Sequence, residues 1–190
     1  MPQSFNINGR SIGDGYPCYI VAEISANHNG DFQTALTMVN VAKKIGADCV
    51  KTQTYTADTL TIDSNKKYFQ ISSGLWKDEN LYNLYKKAYT PWEWQSSLKK
   101  EAEKIGIDFL STAYDNSSVD FLEEIGVKAY KIASFELIDI PLIKYIASKG
   151  KPIIISTGMG TLGEIKDAIS AIRSQGNNEI CLLKCLSVYP

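Results

Sequence analysis

Six stretches of the chain end in side chains that can hold an anion or move a proton. The first, "YIVAEISANHNGDF" (19–32), sets Glu23 inside an apolar run and follows it with Asn27 and His28, the only histidine in 190 residues. The others close on Lys51 and Gln53, on Ser111 and Thr112, on Lys131 and Ser134, on Ser156 and Thr157, and on Lys184, Ser187 and Tyr189. Ammonium groups supply charge and hydroxyls supply directed hydrogen bonds, so two lysines with Thr112, Ser134 and Ser187 would make a pocket for a phosphate or another oxyanion. Glu23 brings the opposite charge from the first strand. The same spacing admits a purely architectural reading, in which Lys51 and Lys131 pair with Glu23 and Glu136 as buried ion pairs. One histidine with scattered carboxylates makes a weak metal site, and no metal ligand is assigned.

The elements that must position these residues alternate. Apolar or β-branched runs at 19–25, 49–55, 108–114, 129–135, 151–158 and 179–190 read as strands buried on both faces. Between them, amphipathic segments stop on Gly46, Gly106, Gly126, Gly150 and Gly176, as helices do. Thr90 reads as the N-cap of the second of these helices, with Pro91 at its first position. Polar residues collect at the C-terminal end of every strand, where a parallel barrel builds its site from all its βα loops; an open doubly wound sheet draws on fewer. The expected fold class is therefore α/β, a (β/α)8 TIM barrel. Lys51 and Gln53 share a strand face, as do Lys131 and Ala133, and Ser134 lies off that face near the rim.

Residues 1–18 read as a hairpin lead-in and 19–190 as barrel strands one to six. Residues 56–89 are too long for an ordinary βα connection and read as an excursion over the strand ends, helical from about Lys77, with Trp76 placed to anchor it over the pocket. Leu81, Tyr82, Leu84, Tyr85 and Trp92 read as a packing stripe. "STGMG" (156–160) lacks P-loop spacing and its lysine, which makes it a plain βα turn.

Charges nearly cancel, with 20 Lys+Arg against 21 Asp+Glu, and no basic block appears, so neither nucleic acid nor an anionic membrane is expected as partner. The start carries no signal-peptide pattern and no run reaches the length of a membrane span, which points to the cytoplasm. Cys18, Cys49, Cys181 and Cys185 form no CxxC pair, and the last three lie in strand-like runs, as reduced buried thiols do.

In order and spacing, "IVAEISANHNG", "VKTQTY", "FLSTAYD", "YKIASFE", "PIIISTGM" and "LKCLSVYP" resemble the sialic acid synthase family, the phosphoenolpyruvate-dependent nonulosonic acid synthases, from about Tyr19 to Pro190. "SANHNG", "SSGLW" and "KC" in the last strand are most similar to the pseudaminic acid synthases within it. The resemblance implies condensation of phosphoenolpyruvate with 2,4-diacetamido-2,4,6-trideoxy-L-altrose. Carbon 3 of the enol attacks the sugar aldehyde, a divalent metal (Mn or Mg) polarises it, and water adds at carbon 2 before phosphate leaves. It implies that Lys51, Thr112, Lys131, Ser134 and Ser187 bind phosphoenolpyruvate and that Glu23, Gln53 and Tyr189 line the sugar side. Asn27 and His28 are implied to position substrate.

A complete barrel has eight strands, and the sequence shows six. The family's metal-binding histidines and its C-terminal antifreeze-like domain have no counterpart among the motifs here. The expectation is a fragment of a synthase that is a homodimer at full length, with activity in these 190 residues absent or severely reduced. The alternatives are an N-acetylneuraminate or legionaminate synthase and, from another class, a non-catalytic anion-binding module.

Overall fold

The computed structural model describes residues 4–74 and 76–186. An antiparallel hairpin, β1 (Ser4–Ile7) and β2 (Arg10–Gly13), precedes six parallel strands: β3 (Val21–Glu23), β4 (Cys49–Thr54), β5 (Asp108–Ala113), β6 (Tyr130–Ile132), β7 (Ile153–Ser156) and β8 (Ile180–Leu183). The sheet order is β3-β4-β5-β6-β7-β8. Each strand lies beside its predecessor in sequence, so there is no switch point, and the connecting helices cover one face as the sheet curls into part of a barrel. The barrel reading of the strand ends is thereby met over six strands.

Those helices are α1 (Phe32–Lys44), α4 (Trp92–Ile105), α5 (Asn116–Glu124), α6 (Ile140–Ala147) and α7 (Leu162–Arg173), with α2 (Ala57–Leu60) and α3 (Leu81–Ala88) inside the excursion. Their starts follow from local chemistry. Asp31, Asn80, Asp115, Asp139 and Thr161 accept backbone N–H bonds from the first turns of α1, α3, α5, α6 and α7. The start of α4 departs from expectation: Pro91 is the N-cap and Thr90 lies outside the helix, because its hydroxyl is bound to His28.

The period of two sorts each strand into layers. Val50, Phe109, Tyr130, Ile132, Ile153 and Ile155 face the helices and form the larger core with Val39, Leu98, Leu122, Ile143 and Ile172. Cys49, Leu110, Ala129 and Ile154 face inward, and Ile7 of the hairpin, 1% exposed, plugs them from below. The plug is tied to the strand starts: Asn8 Nδ2 donates to Asp108 Oδ1 at 2.8 Å, Tyr19 Oη to Asp108 Oδ2 at 2.7 Å, and Arg10 pairs with Asp48. A sealed lower end leaves the inward residues one layer up, Lys51, Thr112, Lys131 and Ser156, as the floor of whatever opens at the strand C-termini.

All four cysteines are free thiols, but only Cys49 is buried; Cys181 and Cys185 are half-buried because β8 has a neighbour on one side among the described residues. None of the described helices is long and apolar enough to cross a membrane. Ile7→Ala should cost roughly 2–5 kcal/mol of unfolding free energy, as truncating a fully buried isoleucine does. Urea denaturation would check this, and an unchanged midpoint would mean that the hairpin does not plug the sheet.

Candidate active site

Glu23, Lys51, Thr112 and Lys131 are brought to the inside of the sheet by register. Glu23 pairs with Lys51 across β3 and β4, Gln53 with Thr112 across β4 and β5, and Thr112 with Lys131 across β5 and β6. Lys51 Nζ contacts the Glu23 carboxylate and lies 3.4 Å from Thr112 Oγ1. Lys131, 7% exposed, donates to Ser156 Oγ at 2.6 Å and to the carbonyl of Ile132 at 2.7 Å. Ser134 Oγ accepts from the Gly158 N–H at 3.2 Å, and a Cβ on Gly158 would fall 2.8 Å from that oxygen, so this turn closes only with glycine. The N–H groups of Thr157, Gly158 and Gly160 in "STGMG" are spent on Leu183, Ser134 and Thr157, as in the plain βα turn expected of it.

Electrostatics show how the two lysines are held. Burial, then the like charge of Lys131, pulls Lys51 down toward about 7; the touching Glu23 carboxylate works against that pull. Burial brings Lys131 down to about 8, while Cys185 and Glu136 oppose it. Of the two, among the described residues, Lys51 alone has a carboxylate in contact. Lys131 is hydrogen-bonded to neutral groups, and the opposite charges that act on it, Glu136 and Cys185, make no ion-pair contact there. The purely architectural reading is thus half right: the Glu23 pair exists, and no Lys131–Glu136 bridge forms among the described residues.

Glu136 is the functional candidate that strand-end patterning passed over. It sits in the single-turn helix Phe135–Ile138 after β6, its Oε2 is buried without a hydrogen-bond partner, and burial raises its carboxyl above the ordinary range. A carboxyl with one buried oxygen unbonded and a lysine charge acting on it is a candidate proton donor or acceptor. The sequence signal was its place two residues past Ser134 on the same loop. Cys185 is the second addition. Burial raises its thiol, but bonds with Ser156, the Thr157 N–H and Ser134, and the Lys131 charge, bring it below the usual value.

The other expected residues divide, with Gln53 on the inward face beside this layer and Asn27 and His28 in the loop after β3. Gln53 Nε2 donates to Tyr114 Oη at 2.8 Å, within a wall in which Tyr55 packs edge-on to both Tyr114 and Tyr85. Asn27 is exposed and bonded to the Ser25 carbonyl. His28 is 1% exposed, stacked edge-on against Trp94, with Nδ1 accepting from Gly30 and Nε2 against Thr90 Oγ1. Both ring nitrogens are used and burial lowers its pKa, so the imidazole stays neutral and fixes the loop without facing the pocket. Trp76 is half-exposed, and Ser187 and Tyr189 lie outside the described residues.

With that geometry in place, residues 38–190 match the model of the NeuB family. The chain belongs to the NeuB family. The pseudaminic acid synthase of Helicobacter pylori is 45% identical over 174 residues, 92% of this chain and 51% of that protein. The N,N'-diacetyllegionaminic acid synthase of Legionella pneumophila is 38% identical, over 100% of this chain and 55% of its own length. The crystal structure of the N-acetylneuraminic acid synthetase from Leptospira borgpetersenii, in complex with citrate, superposes with a TM-score of 0.86 at 31% identity, covering 100% of this chain and 61% of that one. This NeuB-family chain thus spans about half the length of the curated relatives it matches.

A group that needs two cations should lose affinity as they deprotonate. Inorganic phosphate is expected to bind the chain with affinity that falls from pH 7 to pH 9, as the depressed lysines lose charge, and with proton uptake on binding near pH 8. Without ligand the sign is opposite: the unfolded chain holds more protons between about pH 7 and the ordinary lysine range, so stability rises with pH there. Calorimetry in buffers of different ionisation enthalpy measures the first and pH-dependent denaturation the second. A phosphate affinity that is flat across this range would exclude Lys51 and Lys131 as the anion's partners.

Proposed function

We propose that this chain supplies the phosphoenolpyruvate-binding strands of a nonulosonic acid synthase, with pseudaminic acid as the product. The observation that carries this reading is the inward pair Lys51 and Lys131, the latter without a carboxylate in contact among the described residues, at the C-terminal ends of strands beside Thr112, Ser134 and Ser156. Phosphoenolpyruvate brings a phosphate and a carboxylate, two anionic groups for two cations. The family relation and the 42–45% identity to three pseudaminic acid synthases favour this product over legionaminic or N-acetylneuraminic acid.

On this reading Lys131, with Ser156 and Ser134 beside it, holds one anionic group, and Lys51 with Thr112 holds the other. Glu23, in contact with its ammonium, holds Lys51 turned inward. Gln53, fixed by Tyr114, faces the sugar. Attack of the enol carbon turns the aldehyde oxygen into an alkoxide, and Glu136, whose carboxyl pKa burial raises, is assigned as the source of its proton; water adds to the resulting cation at carbon 2 and loses a proton, and phosphate leaves with cleavage of its C–O bond. A divalent metal is expected of the family. Among the described residues no three His, Cys, Asp or Glu side chains are grouped to hold one, so these residues do not fit that ion and the steps assigned here use the chain's own groups. The partners are phosphoenolpyruvate and an acetamido sugar, and the expected assembly is a homodimer in the cytoplasm.

Titration calorimetry with phosphoenolpyruvate tests the reading. Lys131→Met should weaken binding by roughly tenfold or more, the loss expected when a buried charge-assisted contact goes. Glu136→Gln should change binding by less than Lys131→Met does, because Glu136 bears on the anion only through the charge of Lys131. Phosphate release with the altrose-derived sugar is expected to be very low for these 190 residues alone. No detectable phosphoenolpyruvate binding at neutral pH would sink the proposal.

A further inference from the structure

A buried polar network behind the strands has no part in the chemistry above. Gln95, in the first turns of α4, is 0% exposed. Its Nε2 donates to the backbone carbonyl of Gln53 at 2.9 Å and its Oε1 accepts from Thr52 Oγ1 at 2.7 Å. Thr52 Oγ1 lies 3.1 Å from Ser111 Oγ, which is itself 2.7 Å from Thr54 Oγ1, and all three are buried. Trp92, one turn earlier, donates Nε1–H to the Tyr55 carbonyl at 3.0 Å, and Thr90 meets His28 at 3.1 Å.

These contacts converge on two loops. Residues 90–95 grip the loop after β3 through His28 and the end of β4 through the carbonyls of Gln53 and Tyr55. Tyr55 and Thr90 also flank the excursion of residues 56–89, so the same struts clamp its base. Helix α4 also enters the larger core through Leu98 and Ala102, with Trp94 and Ile105 partly buried against it. A fully buried glutamine in that interface costs free energy unless both amide ends are bonded, and here both are.

We propose that Gln95 is a positioning residue that sets the height and rotation of Gln53, and so fixes the sugar side of the pocket independently of the anion side. A side chain cannot be aimed more finely than its own backbone, and the Gln53 carbonyl is held by Gln95 while its amide is held by Tyr114. On the anion side, Lys131, Ser134 and Ser156 stand on β6, the loop after it and β7, outside this network. Lys51 and Thr112 stand on β4 and β5 beside Thr52 and Ser111 but turn their side chains to the other face, where Lys51 meets Glu23 and Thr112. The link from Gln53 to a sugar rests on the synthase reading; the link from Gln95 to Gln53 does not.

The test therefore has two arms on Gln95→Met, a substitution of similar volume that removes both bonds. In the ligand-free chain, exchange of the Gln53 side-chain amide protons is followed by NMR against Asn177, whose Nδ2 is bonded to the Lys151 carbonyl at 2.7 Å in another part of the fold. Gln53 exchange should accelerate about tenfold or more with Asn177 unchanged. In the second arm, phosphoenolpyruvate affinity should stay within about twofold, while affinity of the phosphoenolpyruvate-loaded chain for the acetamido sugar falls about tenfold or more. Unchanged exchange at Gln53, or equal acceleration at both amides, overturns the proposal, the latter because Gln95 would only hold the fold together. Should Gln95→Met not fold, Trp92→Phe removes one strut and keeps the ring, and about threefold faster exchange at Gln53 alone is then required. If the unaltered chain binds phosphoenolpyruvate but no sugar, the sugar assignment fails and the exchange arm still decides the role of Gln95.

Discussion

Two ammonium groups inside a curled sheet are the constraint from which the rest of this structure follows. A buried lysine is tolerated when something nearby compensates its charge, and here the compensation is uneven. Lys51 has Glu23 in contact, whereas Lys131 has a serine hydroxyl and a carbonyl. That imbalance makes the layer at the strand C-termini receptive to an anion. Below it, Ile7 packs on the inward side chains of the strand starts, held there by the Asn8, Arg10 and Tyr19 contacts.

The polar groups around that layer divide into those set beside the lysines and those that hold the scaffold. Thr112, Ser134 and Ser156 belong to the first set, since each sits against a lysine or against the Gly158 turn. Thr52, Thr54, Ser111 and Gln95 belong to the second, on the opposite strand face and bonded to one another. The difference is one of parity along β4 and β5, where adjacent residues point to opposite sides of the sheet. His28 is the instructive case, because a lone histidine beside a carboxylate invites a chemical role, and its surroundings give it a mechanical one.

Most of the fold was legible in the chain. Continuous apolar runs ending in polar residues, spaced by glycine-stopped amphipathic segments, specify parallel strands with helices between them, because strand period, helix period and C-capping are local properties. Alternation likewise placed Lys51 and Lys131 on the inward face before any coordinates. Small errors were also local in origin: Thr90 has the chemistry of an N-cap, and it lost that role to a partner 62 positions away.

What the sequence by itself determined, then, is the set of elements, the inward lysines and the family to which the motifs belong. What only the tertiary structure decided is which polar groups find partners. Burial of Glu136 Oε2 without a bond, the closeness of Cys185 to Lys131, the pairing of Gln53 with Tyr114 and the grip of Gln95 on the Gln53 carbonyl all join residues from different strands or helices. Such contacts depend on strand register, sheet curl and helix placement together. None of these is encoded in a short stretch of chain, because each is set by how the whole layer of side chains packs.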